Sequence, residues 1–266
     1  MTELLEIDGA SLVALTAGPS AAPPVLLVPG YTGSKEDFAP LLGPIGEAGL
    51  RAVAIDLPGQ YESPGPDDPD AYRPDALART VVAAAQLLGP GVRLLGHSFG
   101  GLVARAAVIA APSAFASLVL LSSGPAALGG VRRKRIEQLE PLLAASGLNG
   151  VYAAMQAAAT AEPGYVEPPV ELAEFLRQRF LAGSPAMLQG MGEALRLEPD
   201  RVAELAATGV PALVVHGEHD DAWDPATQQD MAERLGARYA VVSHAAHSAA
   251  VENPVDLLTV LLDFWR

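Results

Sequence analysis

The 266 residues are 50% hydrophobic, so the chain can bury a sizeable core and does not read as a disordered one. Its formal net charge of −14 argues against a nucleic-acid partner, since phosphate binding needs a basic face. There is no cysteine, which excludes disulfides, a thiolate metal site and a cysteine nucleophile.

Residues 1–11 carry Glu3, Glu6 and Asp8 with no basic run and no long apolar stretch, unlike a signal peptide. No apolar run approaches the roughly 18 residues of a membrane span, so no span is expected and a cytoplasmic chain is the expectation. Residues 4–8 and 12–16 predict an opening hairpin, with Asp8-Gly9 as its turn. Buried strands are expected over 25–28 and 51–56, with a helix over 38–48 between them. A loop rich in Pro, Gly and Asp follows from residue 60 to about 69. An Ala-rich helix over 75–88 stops at Gly89-Pro90-Gly91. A short strand over 92–95, a helix over 99–111 and a strand over 117–121 come next.

From about residue 123 to 204 no strand is predicted. Helical patches over 132–145, 151–161, 170–182 and 187–195 are separated by Gly and Pro. Strands return at 211–216 and 238–242, with helices over 225–235 and 255–265. Alternating apolar strands and helices predict an α/β fold with a mostly parallel sheet covered on both faces. The expected organisation is a core of residues 1–122 and 205–266, with residues 123–204 inserted as a helical cap.

The strand at 92–95 runs into Gly96-His97-Ser98-Phe99-Gly100 and then a helix. A serine between two glycines at such a junction is a nucleophile elbow. The turn is so tight that its central residue takes strained φ/ψ, and the glycines leave no Cβ to collide with the adjoining strand and helix. The serine hydroxyl is thereby lifted clear at a helix N-terminus.

A serine needs a base within hydrogen-bond reach and an acid to orient that base. His216-Gly217-Glu218-His219-Asp220 follows one late strand, and His244-Ala245-Ala246-His247-Ser248 follows the next. Asp220 competes with Asp221 and Asp224 for the acid, and His247 with His244 for the base. His216, His219 and Asp220 could suggest a metal site, but His216 reads as a packed strand-end residue, so no metal is expected. Arg132-Arg133-Lys134-Arg135 is the one basic run; it reads as a solvated helix face, with steering of an anionic substrate as the alternative.

The chain resembles the α/β-hydrolase superfamily, its serine esterase and lipase branch. The resemblance rests on Val28-Pro29-Gly30-Tyr31-Thr32-Gly33, Asp56-Leu57-Pro58-Gly59, the elbow, Gly217-Glu218-His219-Asp220 and the late His247, in that order. It implies an eight-stranded, mostly parallel sheet with a cap after the sixth strand. It also implies Ser98 as nucleophile, His247 as base, being just before the last helix, and Asp220 as acid. The oxyanion donors it implies are the backbone N–H groups of Tyr31 and Phe99. One position departs from the pattern: Pro29 stands where the family usually has His, which leaves the hydrogen bonding of that loop open.

The reaction expected is hydrolysis of a carboxylic ester or related acyl compound through an acyl-serine, with a small-molecule acyl substrate and no cofactor. Lactonase, thioesterase, C–C hydrolase and perhydrolase chemistry share the same motifs, and a non-catalytic ligand-binding protein of this fold is the alternative from another class. Tyr31, Phe99, Tyr152, Met155, Phe180, Met187, Met191 and Trp223 are expected as pocket walls. The sequence carries no mark of an oligomeric state.

Overall fold

The computed structural model describes residues 1–7, 10–162 and 164–266. The expected turn at Asp8-Gly9 lies outside the described residues. Eight strands run in chain order as β1 (Thr2–Ile7), β2 (Ala10–Ala17), β3 (Pro24–Val28), β4 (Arg51–Ile55), β5 (Val92–His97), β6 (Phe115–Leu121), β7 (Ala212–Gly217) and β8 (Arg238–Val242). They form one sheet in the order β1-β2-β4-β3-β5-β6-β7-β8. β1 and β2 pair antiparallel, as do β2 and β4; every pairing from β4 through β3 to β8 is parallel. This is the α/β-hydrolase fold.

Among the described residues the helices are α1 (Ala39–Glu47), α2 (Pro74–Leu88), α3 (Phe99–Ala110), α4 (Gly130–Thr160), α5 (Val170–Ala182), α6 (Pro185–Leu197), α7 (Val202–Ala207) and α8 (Pro225–Leu235) between strands, and α9 (Ala249–Glu252) and α10 (Pro254–Trp265) after β8. Short 3-10 turns at Lys35–Phe38 and Pro69–Tyr72 fall where the sequence showed only loop or helix start. No helix among the described residues is long and apolar enough to cross a membrane.

The period-two alternation of a strand explains the two layers. Leu26 and Val28 of β3 pack with α2, α3 and α8 on one face. Val25 and Leu27 pack with α1 and α10 on the other. All five residues of β3 are buried, which is why the central strands read as continuous apolar runs rather than alternating ones. Each Leu or Val so buried stabilises the fold by about 1.5–3 kcal/mol relative to exposure.

Between β6 and β7 lie α4, α5, α6 and α7, with no strand among the described residues. α4 contains a kink at Gly147, whose φ of 61° and ψ of −166° suit a glycine. The backbone at Gly147 is not helical, so α4 consists of two helices meeting there, in keeping with the separate patches expected over 132–145 and 151–161. The expected boundary at residue 204 falls inside α7, which packs on α3 and α8 and so belongs with the sheet's own covering.

The strand order reverses direction at β3, which lies between β4 and β5. Loops leaving neighbouring parallel strands in opposite directions open a crevice at their C-terminal ends. Gly30 and Tyr31 leave β3 there, and Ser98 leaves β5. The loops after β7 and β8 reach the same edge.

Candidate functional site

Ser98 sits between the last residue of β5 and the first of α3, at φ 55° and ψ −120°. Such a backbone costs about 1–3 kcal/mol in a non-glycine residue and persists only if its surroundings enforce it. The Ser98 N–H donates to the Leu121 carbonyl of β6 at 2.8 Å, and the Gly101 N–H donates to the Ser98 carbonyl at 2.9 Å. A Cβ on Gly96 would lie 2.2 Å from the Gly100 carbonyl oxygen, and one on Gly100 would lie 2.4 Å from the carbonyl oxygens of Val28 and Pro29. The elbow therefore closes only with glycine at both positions.

His247 lies in the loop after β8. That loop is pinned by acidic side chains: Glu218 accepts from the His244 N–H at 3.2 Å and Glu252 from the Ala246 N–H at 2.6 Å. His247 Nε2 is 2.9 Å from Ser98 Oγ, and its Nδ1 is 2.9 Å from Asp220 Oδ1. A carboxylate can only accept, so Nδ1 carries the proton and Nε2 accepts from the serine hydroxyl. Asp220 also accepts from the Ala222 N–H at 3.0 Å and from Gln228 Nε2 at 2.9 Å. Burial pushes its carboxyl up, but the hydrogen bond and charge of His247, with the donors of Ala222 and Gln228, more than offset this. Asp220 is held below the ordinary carboxylate range.

The rival residues are engaged elsewhere. His244 is exposed. Asp221 pairs with Arg132 at 2.6 Å, and Asp224 caps α8 by accepting from the Thr227 N–H at 2.9 Å. His216 is fully buried, donating from Nδ1 to the Gly217 carbonyl at 2.8 Å and accepting from the Tyr239 hydroxyl at 2.7 Å. Its neighbour His219 points to solvent. Among the described residues no cluster of three or more His, Asp or Glu side chains could hold a metal ion.

Three polar side chains at the site carried no usable sequence signal. Gln228 and Gln60 are buried amides, a residue type that marks no chemistry by itself. His97 stands beside the serine, and its Nε2–H donates to the His247 carbonyl at 2.8 Å. Burial, with the neighbouring His247, lowers the His97 pKa to about 4, so its ring is neutral.

A cavity of about 500 Å³ separates Ser98 from α4 and α5. Of the expected wall residues, Tyr31 and Met155 line it. The others do not, and the expectation is corrected for them. Phe99, Met191 and Trp223 turn into the apolar core, and the Trp223 indole donates to the Ala126 carbonyl at 3.0 Å. Phe180 and Met187 face a separate small cleft beside Tyr61. Tyr152 packs on Phe180 with ring centroids 5.6 Å apart. Smaller or unexpected residues take their places, among them Ile136, Leu142, Ala154 and Ala158. Arg132 and Arg135 of the basic run, with Arg179, also reach this wall rather than only a solvated face. Each is tied to a carboxylate, Arg132 to Asp221, Arg135 to Glu162 and Arg179 to Asp37.

Phe99 follows Ser98 in the chain, and Tyr31 lines the same cavity as Ser98. Neither backbone N–H has a hydrogen-bond partner among the described residues. The Tyr31 hydroxyl donates to the Leu188 carbonyl of α6 at 2.9 Å, tying the loop after β3 to the insertion.

Known proteins resemble this chain over nearly its whole length. A Bacillus subtilis (strain 168) protein, provisionally named a 2-succinyl-6-hydroxy-2,4-cyclohexadiene-1-carboxylate synthase, is 26% identical over 263 residues, 93% of this chain and 92% of the relative. A carboxylesterase structure from Nitrososphaera gargenis superposes with a TM-score of 0.83 at 18% identity, covering 99% of this chain and 97% of that one. The enol-lactonase structure from Burkholderia xenovorans LB400 gives 0.82 at 22% identity, covering 99% of both chains. At such identities the structures speak to the fold. The sequence profile of the Alpha/beta hydrolase family matches residues 25–259. Because that match runs from β3 into α10, and so takes in every strand end that borders the cavity, the chain belongs to the alpha/beta hydrolase family.

Proposed function

We propose that the chain is a serine hydrolase that cleaves a carboxylic ester or related acyl compound through an acyl-serine intermediate. The observation that carries this reading is the unbroken chain from Asp220 through His247 to Ser98, with both contacts at 2.9 Å, facing a cavity. Neutral His247 takes the proton from Ser98 as Oγ attacks the acyl carbon. Asp220 holds the imidazole tautomer and stabilises the imidazolium that forms. The free N–H groups of Tyr31 and Phe99 receive the developing oxyanion, an interaction worth roughly 3 kcal/mol per donor. The carbon–oxygen bond of the tetrahedral intermediate then breaks, and His247 returns its proton to the departing alkoxide. Water, deprotonated by the same histidine, attacks the acyl-serine; the bond from the acyl carbon to Oγ breaks, Oγ takes the proton back from His247, and the acid is released.

Serine rather than aspartate at the elbow favours acyl over alkyl transfer. Residues 123–204 act in this reading as a cap, with α4 and α5 supplying the far wall. The wall from Ile136, Leu142 and Met155 suits an apolar acyl chain. Relatives named as carboxylesterase and enol-lactonase share the fold and support ester or lactone substrates.

A fluorophosphonate probe tests the reading. The wild-type chain takes one label, and Ser98→Ala takes none. An unlabelled wild type, or equal labelling of Ser98→Ala, overturns it. A panel of esters, lactones and thioesters then ranks the acyl class.

A further inference from the structure

We propose that Gln60 is the positioning residue of the oxyanion site, holding the Gly30–Tyr31 peptide so that the Tyr31 N–H faces the oxygen of the developing oxyanion. The inference rests on the serine-hydrolase reading above. It begins from Pro29, which stands where related chains are expected to carry a histidine, leaving the loop after β3 without that side chain's hydrogen bonds.

The Gln60 side chain fills the gap. It is 1% exposed, and its Nε2 donates to the Gly30 carbonyl at 2.7 Å. Its Oε1 accepts from the Leu57 N–H at 3.0 Å, and its own N–H donates to the Leu57 carbonyl at 3.0 Å. The amide is thus folded over its own turn. This fixes which end is which: Leu57 presents a donor and Gly30 an acceptor, so a flipped amide would clash at both contacts.

The Gly30 carbonyl and the Tyr31 N–H belong to one peptide unit. That unit is planar, and no cis bond occurs among the described residues. In a trans unit the C=O and N–H point in opposite directions. Gripping the oxygen therefore sets the direction of the N–H. The Gly33 N–H adds a second bond to the same oxygen at 3.1 Å, but it belongs to the loop itself and moves with it. Gln60 comes from the turn after β4, so it anchors the peptide to the sheet. The gripped unit is also close to the nucleophile, since a Cβ on Gly30 would lie 3.1 Å from Ser98 Cβ. Donation to the carbonyl also polarises the unit and strengthens its N–H as a donor.

Two substitutions separate the roles of the amide. Gln60→Glu keeps an acceptor for the Leu57 N–H but, ionised at about pH 9, cannot donate to Gly30. Gln60→Met removes both bonds. The measurements are the fluorophosphonate labelling rate, kcat and KM on p-nitrophenyl acetate, and the melting temperature. The expected result for Gln60→Glu is a loss of about 10–100-fold in labelling rate and kcat, with KM changed less than about threefold. Both variants are expected to melt below the wild type, Gln60→Glu by more because it buries a carboxylate oxygen against the Gly30 carbonyl, so rates are compared well below both melting temperatures, where Gln60→Met is also expected to lose about 10–100-fold in kcat. A Gln60→Glu that labels and turns over within threefold of the wild type overturns the proposal. So does a loss confined to KM, or a folded Gln60→Met that labels and turns over within threefold of the wild type; if Gln60→Glu does not fold, Gln60→Met alone decides. A wild type that takes no label sinks the hydrolase reading itself. A labelled wild type with equally labelled variants sinks only the role of Gln60.

Discussion

Three neighbouring acids, Asp220, Asp221 and Asp224, differ in what they touch, and this separates them chemically. Asp220 meets His247 Nδ1 with its carboxylate shielded from water, Asp221 meets Arg132 at an exposed edge, and Asp224 caps a helix. Asp220→Asn is expected to lower turnover by about 10³–10⁴, because the amide no longer favours the required tautomer. Asp221→Asn removes an exposed ion pair, worth about 0.2–1 kcal/mol, and is expected to leave turnover within about tenfold. Steady-state kinetics on any ester that the wild type turns over checks both, and comparable losses would move the acid away from Asp220. The spacing Gly217-x-x-Asp220 was legible in the sequence because a tight strand-end turn fixes it. Gln228, which holds the second Asp220 oxygen, was not legible, since it approaches from eight residues away on the next helix. The pocket walls were misread for a related reason. Which side chains face a cavity depends on the rotation of each helix, and here small residues such as Ala154 and Ala158 face it while Phe180 and Tyr152 pack on each other.

Elements position the site through close backbone approach. β5 and α3 meet at Gly96 and Gly100 so tightly that any Cβ would overlap a carbonyl. Gly96→Ala must push α3 away from β5 and move Ser98 relative to His247. A loss of several kcal/mol in stability, on the order of 3, is expected together with loss of labelling at Ser98. Thermal melting and probe labelling check this, and an unchanged melting temperature with full labelling would show that the elbow has slack. Among the contacts that tie the insertion to the core, three come from different helices: Arg132 to Asp221, Arg179 to Asp37 and the Tyr31 hydroxyl to Leu188. All three end beside Asp220 or the loop after β3, so the cavity wall and the Ser98–His247–Asp220 chain share anchors. Strands and their order of appearance were readable because buried parallel strands are apolar runs with few alternatives. The edge of the insertion was less legible, because helical spacing does not say which layer a helix joins, and α7 packs on α3 and α8.

The molecule as a whole carries a formal charge of −14, and two buried groups contribute to its acid response with opposite effect. Burial, with the neighbouring His247, lowers His97 from an ordinary 6.5 to about 4. The unfolded chain therefore binds a proton between those values that the folded chain refuses, and stability falls as pH drops through that window. Asp56 acts the other way. Burial raises it from 3.8 to about 6 despite its contacts with Lys35, one cation shared by Asp56, Glu36 and Glu62. The folded chain keeps that proton while the unfolded chain loses it, so stability rises as pH falls from about 6 toward 3.8. The two offset each other where the windows overlap, which flattens the acid response of the wild type. His97→Gln keeps a donor for the His247 carbonyl and removes only the titration. Its stability relative to the wild type is expected to rise by about 2–3 kcal/mol between about pH 7 and pH 4.5. Urea unfolding at the two pH values measures this difference. A gap that does not change with pH would mean that the folded chain accepts the proton on His97, and that the ring's bond to the His247 carbonyl does not require a neutral imidazole.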